Sequence, residues 1–308
     1  MSPPRLGRRR LVLGVAAAAS GCAEVPKGGV PRSPDQPLSR RLLPNELVPA
    51  DLDVVLRVDL ERLRRTLGAR LEDELKARYG GDLHLEQALA RGRTVLVAVR
   101  AGDLDAGDHV IVIEGEPKGL EKPPEGFEER RTPNDRVRMF VRTVTAARSE
   151  TDAIVILDQR ATAFVSPMET DAVSRVLRDG ADERRGQPVA EGLVSADVRP
   201  KRLPAELERK FPSLARLLSQ VQRVKMLLNV NDDGLRVDAE IIAKSEAAAD
   251  KVRRFLDVFR EGASGDGASK LLKKMQLEKL GAVVRATSRL AIEDVAALLE
   301  PAQAGADG

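Results

Sequence analysis

The sequence predicts an α+β fold made of two similar β-α-β-β-type repeats, with mainly antiparallel sheets and packed amphipathic helices. Three observations lead there. Short β-branched runs bounded by Gly, Pro, Asn and Asp alternate with stretches whose apolar residues fall three or four apart. The order of these runs recurs once, over residues 50–188 and again over 189–303. The composition is that of a folded chain: 308 residues, 42% hydrophobic and 32% charged, long enough for a sizeable core.

Residues 1–22 read MSPPRLGRRRLVLGVAAAASGC. Arg5, Arg8, Arg9 and Arg10 lead into an apolar run, Leu11 to Ala19, followed by Ser20-Gly21-Cys22. The run is about half the ~20 apolar residues that a membrane-crossing helix needs. It therefore reads as a signal peptide, 1–21, and not as a transmembrane anchor. Ala19-Ser20-Gly21-Cys22 resembles the lipobox of bacterial lipoproteins, with Ala19 where that family prefers Leu. The resemblance implies cleavage between Gly21 and Cys22, a diacylglycerol on the Cys22 sulfur and an acylated Cys22 amine. Ala23, in place of the Asp that retains such proteins at the inner membrane, implies the outer membrane. Arg8-Arg9-Arg10-Leu11-Val12 fits a twin-arginine export signal and also a strong Sec signal. At about 0.8 kcal/mol per buried CH₂, two or three acyl chains hold a protein at a bilayer essentially permanently.

Residues 22–49 carry Pro26, Pro31, Pro34, Pro37, Pro44 and Pro49 with Gly28-Gly29. Proline fixes φ and removes a donor, so this stretch is expected to be an extended tether without helix or strand. The first strand is expected at Val54 to Leu60. The leucines at 63, 67, 71 and 75 then define one face of a helix reaching Tyr79 and stopped by Gly80-Gly81. Strands at Thr94–Val99 and His109–Ile113 follow, and a strand at Thr162–Val165 leads into a helix with Val173, Val176 and Leu177.

The second repeat starts at Leu193–Val198. A helix with Leu207, Phe211, Leu214, Leu218 and Val221 on one face is expected to split at Pro212. Val224–Val230 and Leu235–Ile242 form a hairpin around Asn231-Asp232-Asp233-Gly234. Arg236, Asp238 and Glu240 alternate with apolar residues on the outgoing strand, so one face is wet. A helix over Ser245–Glu261, a strand over Ala282–Thr287 and a helix with Val295, Leu298 and Leu299 complete it, and 304–308 form a disordered tail. The first repeat has Pro123-Pro124 where the second has its long helix, so that copy is expected to have decayed into a loop. The opening Pro49-Ala50-Asp51 with Val54–Leu60 is similar to uncharacterised bacterial extracytoplasmic repeat proteins, a group that brings no chemistry with it.

Motifs exclude more than they assign. One Cys rules out an intrachain disulfide or a Cys-rich metal site, and His84 and His109 fit no metal spacing, so neither metal nor cofactor is expected. Gly262–Gly267 has P-loop glycine spacing but Ala268 where Lys is required. No GxSxG or SxxK motif occurs, leaving Ser166 and Ser195, near strand ends, as the serines that a spatially assembled Ser/His/Asp site could use. Asp59 and Asp197 each follow the first strand of a repeat and are expected to cap the following helix. Arg136, Arg138 and Arg142 share one strand face that could meet an anionic partner, with Glu121, Glu125, Glu128 and Glu129 close enough to neutralise it. One Tyr, six Phe and no Trp leave little for stacking on glycans or single strands.

The formal charge of +3 arises from the targeting segment: without Arg5, Arg8, Arg9 and Arg10 the chain has 47 basic and 48 acidic residues. That removes the global argument for nucleic acid as a partner. The expected protein is a lipid-anchored component of the cell envelope, facing the periplasm, that binds or scaffolds other envelope proteins without catalysis. An envelope hydrolase and a carrier of an apolar ligand are the alternatives. Cys22→Ala should abolish palmitate labelling and membrane fractionation; a variant that still labels and still sediments with membranes would refute the lipobox reading.

Overall fold

In the computed structural model, the residues described are 41–49, 52–67, 84, 87, 88, 91–100, 108–147, 150–180, 190–200, 205–231, 234–262 and 272–291. The expectations for Gly21, Cys22, most of the tether, the leucine helix beyond Leu67, the Gly265-Asp266-Gly267 segment, the helix after Ile292 and the tail lie outside them. The described strands are β1 (Val54–Asp59), β2 (Thr94–Val99), β3 (His109–Glu114), β4 (Phe127–Arg130), β5 (Val137–Arg142), β6 (Ala153–Leu157), β7 (Ala161–Val165), β8 (Val194–Val198), β9 (Val221–Asn231), β10 (Gly234–Ala243), β11 (Gln276–Leu280) and β12 (Val283–Leu290). The helices are α1 (Leu60–Leu67), α2 (Pro167–Asp179), α3 (Ala205–Lys210), α4 (Pro212–Leu218) and α5 (Glu246–Gly262).

All twelve strands join one sheet in the order β11-β12-β10-β9-β8-β1-β2-β3-β7-β6-β5-β4, and every pairing is antiparallel. The protein is thus mixed α+β with an antiparallel sheet, as expected, but the strands form one sheet and not one per half. The seam is β1 against β8, with Leu56 opposite Ala196 and Arg57 opposite Ser195. Outward from the seam, one side runs β1-β2-β3-β7-β6 and the other β8-β9-β10-β12-β11. Between β10 and β11 lies α5, whereas between β3 and β6 lies the hairpin β4–β5, which extends the sheet at its far end.

Two differences from expectation have clear causes. The stretch 41–49 is no tether: Pro44–Leu47 form a 3₁₀ turn, and Leu42, Leu47 and Val48 are buried in the core. Proline is tolerated at the first helical position because its missing N–H would have no partner there, and three apolar side chains repay the ordering of the segment. Val221 opens β9 and does not extend the preceding helix, which ends at Leu218 with Ser219 as cap.

Strand alternation sorts the core onto two faces. On the first, Leu96, Ala98, Val110, Val112, Ala163 and Val165 pack beneath the 3₁₀ turn and Val173, Val176 and Leu177 of α2. On the second, Ile111, Ile113, Phe140, Ile154, Ile156 and Phe164 form a separate cluster with Leu60, Ala88 and Leu120. In the C-terminal half, α5 lays Ala248, Ala249 and Val252 over Val224, Ile241 and Val284 on that second face.

The β2–β3 connection is tied to α2 by charge. Arg100 reaches Asp108 at 3.2 Å and Glu169 at 2.8 Å, and both carboxylates are almost fully buried. A buried carboxylate deprived of its cation retains its desolvation cost without compensation. Arg100→Met should therefore lower the unfolding free energy by about 3 kcal/mol, measured by urea denaturation. A loss below about 1 kcal/mol would mean that water already serves both carboxylates.

Candidate functional site

The first face changes character across the seam. Over β2, β3 and β7 it is apolar and covered. Over β8, β9, β10 and β12 it carries charges and encloses a cleft of about 600 Å³. The register builds a charge ladder there: Asp197 lies opposite Lys225, Lys225 opposite Glu240, Glu240 opposite Arg285, and Arg285 opposite Glu278. Opposite charges facing one another across neighbouring strands contribute roughly 0.2–1 kcal/mol per pair, so the row supports the sheet while keeping the face polar.

Ser195 and Asp197 enter the cleft from β8 and Arg223 from β9. The Arg223 Nε and Nη2 both donate to the Asp197 carboxylate, the first at 2.7 Å, and Arg199 Nη2 donates to it at 3.3 Å. Burial pushes the Asp197 carboxyl up, but the hydrogen bonds and charges of Arg223 and Arg199 outweigh that and hold it below the ordinary 3.8. Asp238 accepts from Arg236 at 2.9 Å and from the Thr287 hydroxyl at 3.1 Å. Ser195, in the neighbouring row, is 1% exposed, and its Oγ has no hydrogen-bond partner. A buried hydroxyl without a partner costs roughly 1–3 kcal/mol, and this one lines the cleft.

The twinned aspartates divide. Asp59 caps α1 as expected, its Oδ1 accepting from the Arg62 N–H at 2.9 Å. Asp197 does not cap a helix, because β8 continues through Val198 and α3 begins only at Ala205. It holds arginines instead.

Arg136, Arg138 and Arg142 lie on the second face, and each meets a carboxylate. Arg136 reaches Asp158 at 3.9 Å and Arg142 reaches Glu150 at 3.7 Å. Arg138 bonds Glu129 at 2.8 Å, holding that carboxyl below its ordinary range, and lies 5.0 Å from the centroid of Phe140. Arg142 lies over Phe127 at 5.2 Å and donates to the Thr151 carbonyl at 3.0 Å. These guanidiniums serve the β4–β5 hairpin. Of the upstream acids, Glu129 supplies the hydrogen-bonded charge on Arg138, and Glu121 adds to it at longer range.

The two histidines, far apart in sequence, come within 6.1 Å of each other, and His84 packs edge-on against Phe164 at 4.6 Å. His84 Nε2 meets the Thr151 hydroxyl at 2.8 Å. Ser166 Oγ accepts from the backbone N–H of His109 at 2.9 Å, so this serine fixes a strand end. No histidine is among the residues lining the cleft around Ser195. Among the described residues no group of three His, Cys, Asp or Glu is placed to hold a metal ion.

Sequence reasoning marked Arg236, Asp238 and Glu240 as a wet face but passed over Arg223, Lys225 and Arg285. Their signal was the same alternation on β9 and β12; what was missing was the register that sets them side by side.

An antiparallel twelve-stranded α+β sheet with an open charged face is thus the class that the fold and cleft define. No family model matches the chain, and no curated protein matches it. Solved structures of TP0453 are similar in outline. Crystal form I is 11% identical, with a TM-score of 0.48 over 85% of this chain and 98% of that one; crystal form III is 9% identical, with a TM-score of 0.44 over 83% and 97%. Among the described residues no helix is long and apolar enough to cross a membrane.

The depressed Asp197 value sets a pH dependence. A lowered carboxyl contributes stability above its unfolded value, about 3.9, and that stability is lost as the pH falls through the lower folded value. The Asp197–Arg223 pair should therefore persist at neutral pH and dissolve only below about pH 4. Carboxyl NMR should place the Asp197 midpoint below 3.8, and Arg223→Met should move it upward. An unmoved midpoint would show that Arg223 does not set it.

Proposed function

We propose that this chain is a lipid-anchored protein of the bacterial cell envelope that acts by binding, as a scaffold for another envelope protein, and not by catalysis. The observation that carries the binding role is the charged cleft over β8, β9, β10 and β12, with the Ser195 hydroxyl, which has no hydrogen-bond partner among the described residues, in its lining. The same face in the N-terminal half is apolar and roofed. Alternating signs along the ladder favour a partner that carries both signs, as a polypeptide does, over a uniformly charged nucleic acid.

The anchor rests on the resemblance of Ala19-Ser20-Gly21-Cys22 to a lipobox, and the outer membrane on Ala23. We also read the two halves as products of duplication. Support comes from the matching orders β1-β2-β3-β7-β6 and β8-β9-β10-β12-β11 outward from the seam. The hydrolase alternative would need a base beside Ser195, and the carrier alternative an apolar enclosure. The cleft is walled instead by Asp197, Arg223, Lys225, Asp238 and Glu240.

A photo-crosslinking residue at Asp238 should trap an envelope protein in intact cells, and Lys225→Glu combined with Arg285→Glu should abolish the adduct. Labelling of Ser195 by a serine-reactive phosphonate, lost in Ser195→Ala, would move the assignment to a hydrolase. Lipid that co-purifies with the wild type and not with a cleft variant would move it to a carrier.

A further inference from the structure

A second concavity, of about 540 Å³, lies at the other end of the sheet, between the β4–β5 hairpin and α2. Buried Met139 and Leu177 contribute to its lining. Arg130 and Arg131 line it from β4 and the residue that follows, and Arg175 and Arg178 from α2, together with Ser174 and with Thr132, whose hydroxyl is taken up by the Asn134 and Val137 carbonyls. Arg178 pairs with its neighbour Asp179 at 3.1 Å. Arg130, Arg131 and Arg175 are in no ion pair among the described residues, whereas Arg138 and Arg142 on the neighbouring β5 both meet carboxylates. The single carboxylate in the lining, Asp171, has no cation within ion-pair distance either.

Three guanidiniums outside ion-pair distance of any described carboxylate line one concave site from two elements, and their mutual repulsion there is relieved by a bound anion. A guanidinium offers a planar pair of N–H donors that matches the oxygens of a phosphate or carboxylate, and several such forks suit a dianion best. Because Met139 and Leu177 are closed to solvent, the groove offers a ligand its charged walls and the Ser174 hydroxyl, not an apolar slot. We propose that this groove binds a phosphate ester, with Arg130, Arg131 and Arg175 as its ligands and Ser174 as an accessory donor. The phosphate could belong to a soluble metabolite or to a lipid headgroup. The site is separate from the charged cleft of the C-terminal half and does not depend on the role proposed for it.

The test uses the full folded chain without its signal peptide. Isothermal titration with glycerol 3-phosphate and with glucose 6-phosphate forms one arm. Co-sedimentation with vesicles of phosphatidylcholine containing phosphatidylglycerol forms the other. Binding in the first arm identifies a soluble ester, and binding to the vesicles alone identifies a headgroup. In whichever arm binds, Arg131→Ser with Arg175→Ser should weaken affinity at least about tenfold, since each lost charge-assisted hydrogen bond alone costs close to that factor. Arg131→Lys with Arg175→Lys should fall between, keeping charge but losing the fork. Arg136→Ser, an exposed arginine outside the groove, should leave binding unchanged. All three positions are exposed, so thermal unfolding should match the wild type. No binding in either arm would overturn the proposal. So would affinity untouched by the double Ser variant, or lost equally in Arg136→Ser, which would reveal only general charge.

Discussion

The pairing of β1 with β8 makes one sheet from two halves, and the other features follow from it. Five residue pairs, Val54 with Val198 through Val58 with Val194, form the seam. It is extended at both ends by backbone bonds, from the Asp59 N–H to the Leu193 carbonyl at 2.9 Å and from the Arg199 N–H to the Asp53 carbonyl at 2.6 Å. Because a strand's side chains alternate between faces with a period of two, a register slip of one residue at this seam would turn a whole half over. Leu56 and Ala196 would lose their shared face, and Arg57 and Ser195 with them.

With the register set, the two halves use the shared first face differently. The N-terminal half spends the 3₁₀ turn and α2 to roof it, and places apolar residues below. The C-terminal half places its long helix α5 on the second face, and the charged residues of its strands line the cleft on the first. The charge ladder from Asp197 to Glu278 crosses that face. Pairing opposite charges across strands lets the face remain polar without leaving a row of like charges to repel one another. The Ser195 hydroxyl departs from this economy, and it does so at the cleft.

The period of two was readable wherever a strand was long and bounded by turn residues. β9 and β10 are of this kind, with Asn231 and Gly234 at the ends of their connection. So was the helix of α5, whose Ala248, Ala249 and Val252 face the sheet. β6 was not read as a separate strand. Its five residues are all buried, which erases alternation, and its turn to β7 has no glycine: Asp158 and Gln159 themselves adopt φ of 46° and 53°. The 3₁₀ turn was missed because three prolines in the neighbourhood outweighed Leu42, Leu47 and Val48 in a reading based on local propensity. The sites suffered for a different reason. Arg130 and Arg175 are forty-five residues apart in the chain, and only the packing of α2 across β5 brings them to one groove.

The position of β4 and β11 has a further consequence. An open sheet has two terminal strands whose outward backbone donors and acceptors face solvent, and such strands can recruit another chain's strand into a continuous ribbon. Among the described strands, β4 pairs only with β5 and β11 only with β12. The protein guards them with chemistry. β4 reads Phe127-Glu128-Glu129-Arg130, three charges in four residues, with Glu129 held by Arg138. β11 alternates exposed Gln276, Glu278 and Leu280 with half-buried Leu277 and Lys279, and Lys279 is bound to Asp250 of α5 at 2.7 Å. A second molecule arriving in line would have to strip water from those charges before its first ladder bond formed. Charge on both terminal strands of the described sheet thus opposes in-line pairing with another chain's strand.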